Sequence, residues 1–418
     1  MPEFIPVFLV VTATIAWFNA RFLKLPSTIG VMAAALILST VAIGLDYAGM
    51  SHPRRYAAEL FGAIDFSDVL MEGMLSLLLF AGALQVDLQR LARFRWQIGL
   101  LAVLGTLAVA LMVGAGLYYL LPLAGLALPL PFCMVFGALI APTDPISVTG
   151  LLRKVGAPAD LETVISGESL FNDGVGIVIF SVMAAIAVEH HLPGGAETSL
   201  LLLREAGGGI VFGAALGGVT YLMLKSIDSY QEEVLLTVAA VLGGYSLAQV
   251  LDVSGPLAMV AAGILIGNRG RRRAMSEHTR EQLDGFWEML DSMLNAVLFV
   301  LIGFEALLLP FSGPLLVAGL LAAGVTLLAR LLAAGLPVAA LGPRAGLPQG
   351  AWQVLTWGGL RGGISVALAL SLPAGSERDT VVTMTYIVVV LSVLVQGLSV
   401  ERLVRRVVPC TGRSAPPA

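Results

Sequence analysis

Apolar blocks of about 20 residues follow one another along nearly the whole chain, each long enough to cross the hydrocarbon core of a bilayer. A segment surrounded by lipid has no water for its backbone N–H and C=O groups, so it must satisfy them internally as helix. That constraint sets the class as an all-α polytopic membrane protein. Composition agrees: 57% of the residues are hydrophobic and 12% charged, against about 25% charged in an ordinary soluble domain. The net charge of −4, with no basic stripe, gives no footing for a nucleic-acid partner. Cys133 and Cys410 fall in a predicted span and at the C-terminus, which argues against a disulfide framework. Glu3 stands where a signal peptide would carry basic residues, so the first apolar run reads as a retained span.

About thirteen spans are expected, near 4–22, 27–45, 67–86, 97–121, 131–152, 162–188, 200–224, 232–250, 255–268, 282–308, 314–341, 350–372 and 379–403. The segment 46–66, with Asp46, Arg54, Arg55 and Glu59, reads as a loop carrying an interfacial helix, and 404–418 as a short tail. Loops rich in Lys and Arg stay in the cytoplasm. Arg21 and Lys24 follow the first span, Arg90, Arg93 and Arg95 the third, Arg153 and Lys154 the fifth, and Lys225 the seventh. Arg269, Arg271, Arg272 and Arg273 follow the ninth, Arg344 the eleventh, and Arg402, Arg405 and Arg406 close the thirteenth. A loop such as His190-His191-Leu192-Pro193-Gly194-Gly195 has none. Odd spans therefore end in the cytoplasm, with the N-terminus outside a cell membrane and the C-terminus inside.

Two spans look breakable. The fifth carries Pro142 and Pro145 around Asp144, and the twelfth carries Trp357-Gly358-Gly359-Leu360-Arg361-Gly362-Gly363. They run in opposite directions, and each is followed by one further span, as in inverted-repeat transporters whose broken helices meet near the midplane. A proline kink with glycine packing contacts is the plainer account.

Acids interrupt this background at Ala141-Pro142-Thr143-Asp144-Pro145 and at Gly167-Glu168-Ser169-Leu170-Phe171-Asn172-Asp173-Gly174. An ionisable residue at membrane depth costs roughly 2.5 kcal/mol or more and usually marks an ion or proton pathway. Residues three or four apart share a helix face, so Ser169, Asn172 and Asp173 form one polar patch with Glu168 facing Asn172. Gly167, Gly174 and Gly176 leave room for another backbone to approach. If the fifth span unwinds at 142–145, its freed carbonyls and the Thr143 hydroxyl join the carboxylates. Such a set of oxygens suits a hard monovalent cation; the bland alternative is a structural hydrogen-bond network. Charge neutrality favours the ion site, because a buried carboxylate is stable when it holds a proton or a cation. Competition of H+ and Na+ for Asp144 and Asp173 then gives exchange without a separate coupling device.

Arg330 and Arg361 also lie in spans and need buried partners. Glu168 is the unmatched acid, and spacing does not decide which arginine takes it. A Glu168–Arg330 pair would fix the sixth span against the eleventh and leave Arg361 to support the broken twelfth span through its carbonyls. Glu72, about one turn inside the third span, either reaches the cation path through water or snorkels to the interface. Asp291 and Glu305 read as wet cavity-lining or interfacial residues. All four histidines fall in predicted loops, so no His-based metal site is expected. No cofactor is expected beyond the transported ions.

Taken together, Ala141-Pro142-Thr143-Asp144-Pro145, Gly167-Glu168-Ser169-Leu170-Phe171-Asn172-Asp173-Gly174 and Gly358-Gly359-Leu360-Arg361-Gly362 resemble the sodium/proton exchanger family. The likeness is to its bacterial NhaP-like and animal branch of monovalent cation/proton antiporters. Asp87-Leu88 and Leu294-Asn295-Ala296-Val297-Leu298-Phe299-Val300-Leu301-Ile302-Gly303 are similar to family segments too, and the similarity covers nearly the full chain. The resemblance implies thirteen spans and a homodimer. A core bundle, 97–188 with 314–403, would move against a dimerisation domain, 1–96 with 200–308, and the fifth and twelfth spans would be the broken, crossing pair. It implies Asp173 as the principal ion and proton carrier, with Asp144, Thr143 and Ser169 as further Na+ ligands. Asn172 would hold the site together, and Glu168 would pair with Arg330.

The pair Asn172-Asp173, rather than two aspartates, resembles the electroneutral branch, in which one cation exchanges for one proton and membrane potential has no grip. The departure is at 404–418, where animal members carry a long cytoplasmic regulatory tail. The expectation is electroneutral Na+(Li+)/H+ antiport by alternating access in a lipid membrane. K+/H+ antiport on the same scaffold is the alternative, and a cation channel is a rival of a different class. A polytopic enzyme would need a nucleophile or metal constellation that the sequence lacks.

Overall fold

The computed structural model describes residues 4–47, 73–189, 203–270, 276–307, 309, 312–341, 344 and 346–408. Every regular element among them is helical. Eight helices are long and apolar enough to cross a membrane: Ser27–Leu45, Arg95–Ala124, Ala159–Val188, Leu203–Leu224, Tyr230–Val250, Glu277–Glu305, Gly313–Leu341 and Ser376–Val407. Shorter apolar helices lie at Phe8–Leu23, Leu75–Leu84, Leu130–Ile140 and Gly255–Asn268. Large apolar side chains such as Trp17, Ile37, Val211, Leu235 and Leu328 face outward, a surface suited to lipid rather than water. Glu72 and most of 46–66 lie outside the described residues.

Two local expectations are corrected. The second helix runs through Tyr47, so Asp46 continues it instead of opening a loop. His278 stands in the first turn of Glu277–Glu305, because Ser276 caps that helix earlier than hydropathy suggests. His52, His190 and His191 lie outside the described residues.

Helix starts follow local chemistry. Ser254, Ser276 and Ser312 accept the N–H of the third residue beyond them, and Pro256 and Pro314 fill first-turn positions where no donor is needed. Stops are equally local. Helix Leu130–Ile140 ends at 141–145, where Pro142 and Pro145 bring no N–H to continue the ladder. Helix resumes at Ile146–Val155. In the twelfth apolar block, Ala351–Trp357 ends at the glycine pair Gly358-Gly359 and helix resumes at Gly363–Leu370.

Packing falls into two groups. In one, Thr106–Leu120 packs on Leu130–Ile140 and Gly313–Arg330, and the latter on Ser376–Leu391. In the other, Gly255–Leu265 packs on Gly208–Leu224 and Leu75–Leu84, while Glu277–Glu305 packs on Ser27–Tyr47. Ala159–Glu189 and Gly363–Leu370 join the first group, on Leu130–Ile140 and Ser376–Leu391 respectively, and meet the second where leucines sit on glycines: a Cβ on Gly174 would lie 2.3 Å from Leu257 Cδ2, and one on Gly363 2.2 Å from Leu298 Cδ2.

Within the first group the approach is backbone to backbone. A Cβ on Gly137 would lie 2.1 Å from the Ala110 carbonyl oxygen and 2.9 Å from the Gly114 nitrogen. Gly137→Ala must therefore push these helices apart, an overpacking that costs about 1–3 kcal/mol. The expected result is a lower thermal midpoint for the detergent-solubilised variant.

Candidate cation site at the helix crossing

The unwound segments 141–145 and 358–362 lie against each other. The Asp144 N–H donates to the Leu360 carbonyl at 2.7 Å. Only a glycine fits opposite, since a Cβ on Gly362 would stand 2.9 Å from Asp144 Cβ. Unwinding also strips carbonyls of their helical donors, and a buried carbonyl left bare is costly. Arg361, 2% exposed, supplies two of them: its Nη1 donates to Ala141 O at 2.5 Å and to Pro142 O at 2.8 Å.

Helix Ala159–Glu189 presents its polar face to this crossing. Asn172 Nδ2 donates to Thr143 Oγ1 at 2.8 Å, and Asn172 Oδ1 accepts the Thr143 N–H at 3.3 Å. The amide thus holds Thr143 by both backbone and side chain, which an acceptor-only aspartate could not do. Thr143 Oγ1 and Ser169 Oγ lie 2.9 Å apart. Thr143, Ser169 and Asn172 are all buried.

Glu168 is fully buried and meets Arg330 in a bidentate pair, Nη1 to Oε1 at 2.5 Å and Nη2 to Oε2 at 2.7 Å. Arg330 Nε donates to Leu355 O at 3.1 Å, so one guanidinium joins three helices. Asn172 Nδ2 also reaches Glu168 Oε1 at 3.4 Å. Of the two arginines, then, Arg330 meets the acid, and Arg361, contrary to expectation, meets carbonyls of the fifth apolar block rather than those of its own broken span.

Asp173 is 6% exposed. With Thr143 and Asp144 it lines a cleft. Past Gly82, Val86, Pro145, Ser166 and Asn295 the cleft continues into a wider vestibule, bordered by Asp87, Arg90, Arg153, Glu162, Glu288 and Asp291. Both carboxylates are thus approached from one side. Asp291 lines the vestibule and accepts from Asn295 Nδ2 at 3.2 Å.

The glycines of this helix differ from expectation. Gly167 makes room for the side chains of Ile98 and Leu91, and Gly174 for Leu257, rather than for backbone. Gly176 faces the Pro142 ring, which closes that helix onto the unwound segment. Sequence reasoning missed the Leu360 carbonyl, and it missed Ser392 and Gln396 beside Arg361. Their one sequence signal is polarity at i and i+4 in an apolar span. Among the described residues no group of three or more His, Cys, Asp or Glu is placed to hold a metal ion.

The family model "Sodium/hydrogen exchanger, transmembrane" matches residues 9–406. The chain belongs to this family. The exchanger is 48% identical over 418 residues to the Na(+)/H(+) antiporter NhaP of Pseudomonas aeruginosa, with 97% of each covered. It is 30% identical over 393 residues to the Na(+)/H(+) antiporter NhaH of Halobacillus dabanensis, with 93% of each covered. Its fold matches the sodium proton antiporter MjNhaP1 from Methanocaldococcus jannaschii with a TM-score of 0.74 at 21% identity, over 96% of this exchanger and 97% of that chain. The exchanger is thus a multi-pass membrane transporter and not an enzyme.

Proposed function

We propose that this exchanger carries Na+ or Li+ against H+, one for one, by alternating access, with cation and proton competing for Asp173 and Asp144. The charge balance of the buried cluster carries the reading. Glu168, Asp144 and Asp173 bring three negative charges to the crossing, and Arg330 and Arg361 bring two positive ones. One negative charge is left over. At membrane depth that remainder must be neutralised, and one proton or one monovalent cation does so equally. Each loaded state is then neutral, and only a loaded state crosses cheaply.

In this reading Thr143, Ser169, Asp144 and Asp173 supply oxygens to the cation, and Asn172 keeps Thr143 in place. The Glu168–Arg330 pair is structural, and Arg361 supports the unwound backbone. Of the thirteen spans proposed, those in 97–188 and 314–403 form a core that moves against the rest, 1–96 and 200–308, through which two copies dimerise. The two packing groups, meeting as leucine on glycine, support this division. The proposed orientation has the N-terminus outside and the C-terminus in the cytoplasm. Three ion pairs gather the basic loop ends near the vestibule, Arg93–Asp160 at 3.8 Å, Arg153–Glu162 at 2.5 Å and Lys154–Glu401 at 3.5 Å. The cleft then opens to the cytoplasm.

Everted vesicles with a ΔpH-sensitive dye test the proposal. Na+ and Li+ are expected to dissipate a preformed proton gradient and K+ to do so weakly. Clamping the membrane potential is expected to leave the Na+ rate unchanged, whereas each net charge moved would feel about 2.3 kcal/mol per 100 mV. A dominant K+ response would instead assign potassium antiport. Voltage-driven cation flux without a proton gradient would assign a channel.

A further inference from the structure

We propose that Ser392, with Gln396 behind it, is a positioning residue that tunes cation affinity through Arg361, an inference that rests on the exchange reading above. Helix Ser376–Val407 widens into one π turn at Ser392–Gln396, beside the crossing. Such turns displace side chains from the regular helical register. Here the turn brings the Ser392 hydroxyl, 4% exposed, to the Arg361 backbone N–H at 3.0 Å. The hydroxyl gives its own proton to Gln396 Oε1 at 2.7 Å, which leaves its lone pairs for Arg361.

The need for this acceptor follows from the break. In an unbroken helix the Arg361 N–H would bond the carbonyl four residues back; with 358–362 unwound, Ser392 takes that place. Arg361 in turn holds the site twice. Its guanidinium bonds Ala141 O and Pro142 O, and the residue before it, Leu360, accepts the Asp144 N–H. Ser392 touches no proposed cation ligand, yet it fixes the backbone on which Asp144 is hung.

The two substrates feel this differently. A cation needs several oxygens at set distances, whereas a proton needs one carboxylate. Loosening the crossing therefore weakens cation binding more than protonation.

The test uses the full chain, with Ser392→Ala, Ser392→Thr and Gln396→Ala. Hydrogen exchange is measured over 358–363 in detergent, and Na+ kinetics in everted vesicles. Ser392→Ala is expected to speed exchange of that segment and to raise the KM for Na+, each about tenfold, with the maximal rate kept within about twofold. Ser392→Thr, which keeps the hydroxyl, is expected to restore KM to within about threefold of wild type. Gln396→Ala leaves the acceptor but frees its rotation, and a smaller KM rise of about threefold is expected even if Ser392→Ala does not fold.

Unchanged hydrogen exchange, or a fallen rate with unchanged KM, would overturn the positioning role. KM does not depend on how much protein folds, so a purely structural loss cannot imitate the result. If the wild type itself carries no Na+/H+ exchange while Ser392→Ala still loosens 358–363, it is the exchange reading that fails and the bracing of Arg361 that stands.

Discussion

Asp173→Asn is expected to reduce sodium-dependent proton flux in everted vesicles to background, with the protein inserted and folded. Asparagine has nearly the shape of aspartate but neither gains nor loses a proton near neutral pH. It also removes the one uncompensated negative charge of the cluster. The cleft then loses both a charged oxygen and the group that trades a proton, so a cation has no carboxylate of residue 173 to bind and no proton to displace there. Folding is expected to survive, because Asp173 faces the cleft while the braces are made by Glu168, Asn172 and the two arginines. Dequenching of the ΔpH dye reads the activity, and size-exclusion behaviour of the purified variant reads the fold. Cation-coupled proton flux retained by a folded Asp173→Asn protein would remove Asp173 from the carrier role.

Glu168→Gln is expected to do the reverse, lowering stability by about 3–5 kcal/mol and leaving the apparent sodium affinity within about threefold. A buried pair adds little over a well-packed apolar replacement, but removing one partner strands the other charge. Glutamine would leave the buried Arg330 guanidinium without the carboxylate that grips both of its terminal nitrogens. Unfolding followed by tryptophan fluorescence in detergent gives the stability, and initial rates against sodium concentration give the affinity. A variant as stable as wild type, with a large loss of sodium affinity, would make Glu168 a cation ligand.

Much of this architecture was legible because lipid leaves so few choices. Apolar length marked the helices, and prolines at 142 and 145 with glycines at 358, 359, 362 and 363 marked the two breaks. The Thr143–Ser169–Asn172 group was half legible. Helical spacing put Ser169 and Asn172 on one face, but only the fold could bring Thr143 onto it from the neighbouring span. The partner of Glu168 was not legible from spacing, since Arg330 and Arg361 are equally charged and equally buried, and the choice turns on which helix passes at the right height. The Leu360 carbonyl was invisible for a different reason: every residue has one, and only an unwound backbone makes this one available. Ser392 escaped notice because a single hydroxyl in an apolar helix usually bonds back to its own helix.

The guanidinium of Arg330 grips Glu168 on one helix and Leu355 on another from a third. Such a knot ties the helices around the crossing to one another, and on the proposed mechanism ligands bound there travel with them. On the proposed mechanism, the resistance to travel then lies at the rim, where protein meets its stationary neighbour and the surrounding lipid. Turnover would be governed less by how readily sodium sheds water than by the thickness and fluidity of the bilayer, making the membrane a mechanical component of the carrier.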